Sequence, residues 1–180
     1  MKKSKLITLT LLAFVAYLLP HSIQAQDKEA EMLLSESSKA KTEFIKTDPS
    51  MTALFDSAHG YVIFPKIGKG GFIVGGSGGD GILYEKGKSI GLVKTGQVTV
   101  GAQIGGQAYR EVIFFENQDA LDHMKQSKTE FSSQISAVAV KSGVSQNAKY
   151  TDGVSVFTQD LGGLMAEATV GGQKFKYTAF

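Results

Sequence analysis

The hydrophobic positions of this chain follow two different periods, and the switch between them divides it. Between Asp27 and Lys46, Ala30, Leu33, Leu34, Ser37, Ala40, Lys41 and Phe44 recur three and four residues apart, with polar residues between them. That spacing predicts an amphipathic helix. Its five acids against four lysines and its small apolar stripe favour docking on the protein's own core over lying on a membrane. Asp48-Pro49 pairs an N-cap residue with a proline suited to a first helical turn. A short second helix through Leu54, Phe55 and Ala58 should follow, ended by Gly60 as a C-terminal glycine.

From Tyr61 to Glu116 the period shortens to two or vanishes into apolar runs, which predicts strands. Tyr61-Val62-Ile63-Phe64 is the first, and Pro65 should end it or sit on an edge, since proline donates no ladder hydrogen bond. Gly68, Gly70 and Gly71 then permit a tight reversal into Phe72-Ile73-Val74. Ile82-Leu83-Tyr84 is a strand and Glu85 to Lys88 a turn. Gly91 to Gln107 alternates as one long strand or two. One parity (Val93, Thr95, Gln97, Thr99) is small or polar. Tyr109 to Phe115 is a further strand, and Asn117 caps a helix through Ala120, Leu121 and Met124. A further turn or helix is placed around Phe131, and strands at Gln134–Val140 and Gly153–Thr158. A strand pair bent at Gly171-Gly172 is placed over Leu164–Thr178. The fold class expected is α+β. A strongly bent antiparallel sheet or barrel-like β-core should carry an N-terminal helix and one or two further helices.

Composition changes this picture at the N-terminus. Lys2, Lys3 and Lys5 precede an uncharged apolar run from Leu6 to Leu19, and small residues follow up to Ala25. Residues 1–25 are expected to be a secretory signal peptide and 26–180 one domain. The protein would then be periplasmic or secreted, and the absence of cysteine fits a periplasm better than a disulfide-stapled extracellular domain. Without those three lysines the 19 basic residues of the chain fall to 16, against 17 acidic ones. A bulk polyelectrolyte partner such as nucleic acid is not implied. The charge is uneven, however. Residues 61–110 hold five lysines and Arg110 against Asp80 and Glu85, while both flanks are acidic.

Several catalytic or cofactor motifs are approached and missed. Gly76-x-Gly78-x-x-Gly81 has dinucleotide-fingerprint spacing but runs into Ile82-Leu83-Tyr84, a strand where a helix N-terminus is required. One calcium-type nonapeptide, Gly75 to Ile82, lacks the neighbouring copies that complete an oxygen shell. Gly87-Lys88-Ser89 lacks the upstream glycine of a phosphate loop. His59 and His123 have no metal-ligand spacing to a partner. No cofactor, metal or catalytic residue is expected. Lys66 and Lys69 remain. They flank the glycine-rich stretch, whose backbone N–H groups could cradle an anion, with Arg110, the chain's sole arginine, as a lesser candidate.

The run Gly60-Tyr61-Val62-Ile63-Phe64-Pro65-Lys66-Ile67-Gly68-Lys69-Gly70-Gly71-Phe72 resembles the opening signature of the SYLF domain family. Gly75-Gly76, Gly79-x-Gly81, the block Val100 to Gln107 and Gly163-Leu164-Met165-Ala166-Glu167-Ala168 match later motifs in order. The resemblance covers nearly all of residues 27–180. It implies a non-catalytic lipid-phosphate-binding module, since SYLF domains of eukaryotic trafficking and actin-patch proteins bind phosphoinositides and some bind actin. Actin is not an expected partner in a periplasm. Thr158-Gln159-Asp160-Leu161-Gly162 stands where eukaryotic members carry basic residues, a departure from the family pattern. The expectation is an anionic phospholipid membrane surface bound through Lys66 and Lys69, assisted by the amides of Gly68, Gly70 and Gly71 and by Arg110. The alternative is an envelope interaction or structural component that uses an exposed β-edge.

Overall fold

The structure, a computed structural model, describes residues 28–71, 74–100, 107–126, 136–161 and 172–180. The elements in chain order are α1 over 28–47, α2 (Met51–Ser57), β1 (Gly60–Gly71), β2 (Val74–Glu85), β3 (Lys88–Val100) and β4 (Gln107–Phe115). Then come α3 (Gln118–Lys125), β5 (Ala137–Ala139), a 3-10 turn (Val144–Asn147), β6 (Val154–Asp160) and β7 (Lys174–Ala179). The strands form one sheet in the order β5-β6-β4-β1-β2-β3-β7. Every pairing is antiparallel except β5 with β6. The fold is α+β, with an N-terminal helix and a bent, unclosed sheet.

Side chains measure the bend. Three strands separate β4 from β7, which in a flat sheet would put them about 19 Å apart. Yet Gln173 Nε2, just before β7, donates to Glu111 Oε2 of β4 at 3.4 Å, and the rings of Phe64 on β1 and Phe175 on β7 lie 6.1 Å apart. The sheet therefore curls until its far strand faces its centre. Two core layers result. Inside the curl, Val62, Phe64, Ile67, Leu83, Val93, Ile113 and Phe175 pack together, joined by Ala120, Leu121 and Met124 of α3. On the outer face Tyr61, Ile63, Val112 and Phe114 take Ala40 and Phe44 of α1 and Met51 and Phe55 of α2.

The glycine-rich stretch is built differently from expectation. Pro65 does not end its strand: β1 runs from Gly60 to Gly71 and sits in the middle of the sheet between β2 and β4. Both ladders slip by one residue there, between Ile63 and Gly68 against β2 and between Phe64 and Ile67 against β4. This is a one-residue bulge, the place where a central strand tolerates a missing donor. Nor do Gly68, Gly70 and Gly71 form the expected reversal. They are ladder members facing Gly78, Gly76 and Gly75. The positive-φ glycines of the described residues are Gly87, Gly143, Gly153 and Gly172. Residues 72–73, between β1 and β2, lie outside the described residues. Gly75 to Gly81 is likewise unbroken strand, paired in register with Gly81↔Val93 through Gly75↔Thr99.

Glycines on the inner parity serve close approach. A Cβ on Gly81 would stand 2.6 Å from the Phe64 ring and 2.7 Å from the Ile63 carbonyl oxygen. Gly60 likewise does not end α2. Ala58 is the C-cap, and Gly60 opens β1 where a Cβ would meet the Tyr84 carbonyl oxygen at 2.8 Å.

The remaining boundaries follow the sequence with shifts. Lys86 and Gly87, both at positive φ, make the two-residue turn between β2 and β3. Asn117 caps α3, its side chain accepting from the Ala120 N–H. α2 starts at Met51, two residues later than the Asp-Pro signal suggests. Asp48 nevertheless accepts from the Ser50 N–H at 3.1 Å, and it also accepts from the N–H groups of Gly143 and Ser145, 95 and 97 residues away. The turn around Phe131, the start of the Gln134 strand and the segment from Leu164 to Val170 lie outside the described residues, as do residues 1–27 with the expected signal peptide.

Candidate functional site: a mixed-charge groove beside the strand bulge

The bulge decides which way the lysines point. Phe64 and Ile67 both face the inside of the curl, so Pro65 and Lys66 share the interval between them and turn to the outer face. From Ile67 the pairing with β4 is regular, and Lys69, two residues on, returns to the inner side. Lys66 and Lys69 thus lie on opposite faces of the sheet. The geometry does not bring them together, and the amides of Gly68, Gly70 and Gly71 belong to ladder positions rather than to an open cradle. Lys66 and Arg110 do come together. Arg110 alternates outward between Tyr109 and Glu111, which face in, and stands on the strand next to the bulge.

Helix α1 crosses above this spot and closes a shallow groove of about 250 Å³. Glu36, Lys39, Ala40 and Glu43 line it from α1, Pro65 and Lys66 from the bulge, Arg110 from β4, and Leu161 from just beyond β6. Ligand pockets for drug-sized molecules run to about 300–1,000 Å³. This one suits a head group rather than a whole lipid. Arg110 is held from behind: its Nη1 donates to Gln159 Oε1 at 2.8 Å, and Gln159 Nε2 donates to Thr47 Oγ1 at the end of α1 at 2.6 Å. A guanidinium fixed this way keeps its other N–H groups in a planar fork that fits phosphate oxygens. Its Nε is buried with no hydrogen-bond partner among the described residues. Lys39, Glu36 and Glu43 were not singled out from sequence. Their signal was present, as a charged edge of α1 at three- and four-residue spacing, but the partner surface was not.

Helix α1 is anchored by polar as well as apolar contacts. Lys41 Nζ lies over the rings of Phe55 and Tyr61 at 4.6 and 5.2 Å and donates to the Tyr61 hydroxyl at 3.2 Å. Burial lowers the Lys41 pKa, partly offset by Asp56. Tyr84 donates to Ser37 Oγ at 3.1 Å. Nearer the N-terminus of α1, a second hollow of about 100 Å³ lies between Ala30 and Leu33 of the helix and Leu92 of β3, beside the Lys94–Asp80 ion pair at 3.4 Å.

A separate polar cluster occupies the inside of the curl. Glu111 is fully buried on β4, and burial pushes its carboxyl up to about 8 against the hydrogen bond from Gln173. Burial raises the Tyr109 phenol too, with Glu111 adding to the shift and hydrogen bonds with Ser77 and Gln173 opposing it. Glu111 Oε1, Gln173 Oε1 and Thr95 Oγ1 have no hydrogen-bond partner among the described residues. The small or polar parity of β3 faces this interior. No helix among the described residues is long and apolar enough to cross a membrane.

Residues 96–177 match the Ysc84 family, described as Las17-binding protein actin regulator. Arg110 and Leu161 fall inside that stretch, whereas Lys66 and α1 precede it. A curated relative, beta cell expansion factor A of Aeromonas veronii, is 29% identical over 174 residues, covering 85% of this chain and 64% of the relative. The chain therefore spans a little under two-thirds of that protein's length. With the ordered glycine motifs and the α+β fold, this match makes residues 96–177 similar to the Ysc84 (SYLF) family.

Proposed function

We propose that this domain binds phospholipid at an anionic membrane surface, seating the headgroup phosphate in the groove between α1 and the β1 bulge. The observation that carries the reading is the convergence of Lys66, Lys39 and the braced Arg110 on one small depression with an apolar floor of Ala40, Pro65 and Leu161. Lys66 and Lys39 act as mobile point charges, Arg110 as the fixed fork, and the apolar floor meets the glycerol end of the lipid. The SYLF family's association with lipids supports the same reading. If the leader is removed on export, the membrane in question faces the periplasm or the outside. The reading is one of binding without catalysis. The β-edge alternative has less behind it. Among the described residues the sheet ends on β5, three residues long, and on β7, which carries exposed Lys174 and Lys176, and both features discourage strand addition.

Co-sedimentation of the protein with vesicles tests it. Binding to phosphatidylglycerol-containing vesicles should exceed binding to phosphatidylcholine alone and should weaken as salt rises. Lys66→Ala with Arg110→Ala should reduce it at least fivefold, while Lys69→Ala, on the opposite face, should change it less than twofold. Equal loss from Lys69→Ala, or none from the double variant, would remove the groove from the explanation.

A further inference from the structure

The groove holds acids as well as bases. Glu36 and Glu43 share its α1 wall with Lys39, and they face Lys66 and Arg110 across it. No ion pair crosses the groove: the ion pair of Glu43 is with Lys46, at 3.8 Å on the exposed helix surface, and Glu36, Lys39, Lys66 and Arg110 form none with any described residue. Opposite charges therefore line one groove without an ion pair across it among the described residues. A site for a bare phosphate would gain nothing from two carboxylates, which repel it. A site for a head group carrying both signs uses the acids as well as the bases.

Resting on the proposed function, we infer that the groove recognises an aminophospholipid head group, one bearing a primary ammonium beside its phosphate. The phosphate meets Lys66 and the Arg110 fork, and the ammonium donates to Glu36 and Glu43 on α1. A primary ammonium has three N–H donors for carboxylate oxygens, which a glycerol head group lacks. The two carboxylates sit seven residues apart on one line of the helix, so a head group lying along the groove meets one or both. The selectivity is for the amine at constant vesicle charge, which separates it from general attraction to an anionic surface.

The experiment compares phosphatidylserine with phosphatidylglycerol at equal mole fraction in a phosphatidylcholine carrier, with the full chain and with Glu36→Gln plus Glu43→Gln. Both lipids carry one net negative charge, and only the first has the amine. The expected result is at least threefold tighter binding to phosphatidylserine by the wild-type chain. In the double variant that preference should disappear, with phosphatidylglycerol binding unchanged or stronger. Soluble phosphoserine should compete the wild-type chain off the vesicles, and a competitor without effect counts against the groove as the binding place. Equal wild-type binding to both lipids, or a preference that survives the glutamate substitutions, overturns the inference and leaves phosphate binding intact. Loss of all vesicle binding to either lipid, or insensitivity to Lys66→Ala plus Arg110→Ala, overturns the phosphate reading itself.

Discussion

Glu111 should make this fold weaken as pH rises through neutrality. Its carboxyl is fully buried on β4 inside the curl, one oxygen accepting from Gln173 at 3.4 Å and the other without a described partner. No ion pair among the described residues compensates it, so burial dominates and lifts its pKa from 4.5 to about 8. The folded chain then holds a proton that the unfolded chain releases. This contribution to stability is complete below 4.5 and is lost as pH climbs to about 8. Each pH unit in that window costs roughly 1.4 kcal/mol, so the full span is on the order of 4–5 kcal/mol, a large part of an ordinary domain's 5–15 kcal/mol. Glu111→Gln keeps the shape and the neutral state and removes the titration. Urea unfolding of wild type and variant at pH 5, 6, 7 and 8 isolates the group, because every other titration cancels in the difference. The two chains should be within about 1 kcal/mol of each other at pH 5, with the variant several kcal/mol more stable at pH 8. Parallel stability curves across that range would refute the argument.

Other perturbations follow from the same geometry. Asp48 is the reverse case. Although burial pulls its pKa up, hydrogen bonds from Ser50, Ser145 and Gly143 hold it well below the usual carboxylate range. Its stabilisation is present above 3.8 and lost as pH falls below it. Asp48→Ala should cost about 3 kcal/mol or more at pH 7 and far less at pH 2, read by urea unfolding, since it strands loop N–H donors. Two glycines of one motif should respond oppositely. Gly81→Ala drives a Cβ into the Phe64 ring and should lower stability by about 2 kcal/mol, whereas Gly68→Ala, with nothing within 4 Å, should be within about 0.5 kcal/mol of wild type. Thermal melts of the pair check this, and equal losses would mean that the glycines share a backbone requirement after all.

Much of the architecture was legible because it is written in local periods. The spacing of Leu33, Ala40 and Phe44 marks α1, and the asparagine before α3 caps it as that residue type should. Lys86-Gly87 turns the chain as its composition suggests. The candidate site was legible only in part. Lys66 and Arg110 were identified, and the groove contains both. On paper Lys69 belongs with Lys66 because both flank the glycine-rich stretch, whose composition suggests a reversal. One extra residue at Pro65–Lys66 sets the parity that sends the two apart, and that register appears only in the pairing with β2 and β4. Lys39, Glu36 and Glu43 join the site because a helix from the start of the chain lies across strands far along it.

By itself, the chain's alternation of apolar and polar residues determined that this protein would be a bent sheet flanked by helices, since burying one face of each element leaves few other solutions. The order of its glycine motifs carried the family resemblance. Tertiary structure alone decided what those glycines do and which charges meet. Whether a glycine turns the chain or makes room for Phe64 depends on what approaches it from another strand. Whether Arg110 faces the α1 groove or the core depends on strand register, and that register is settled by contacts between residues tens of positions apart.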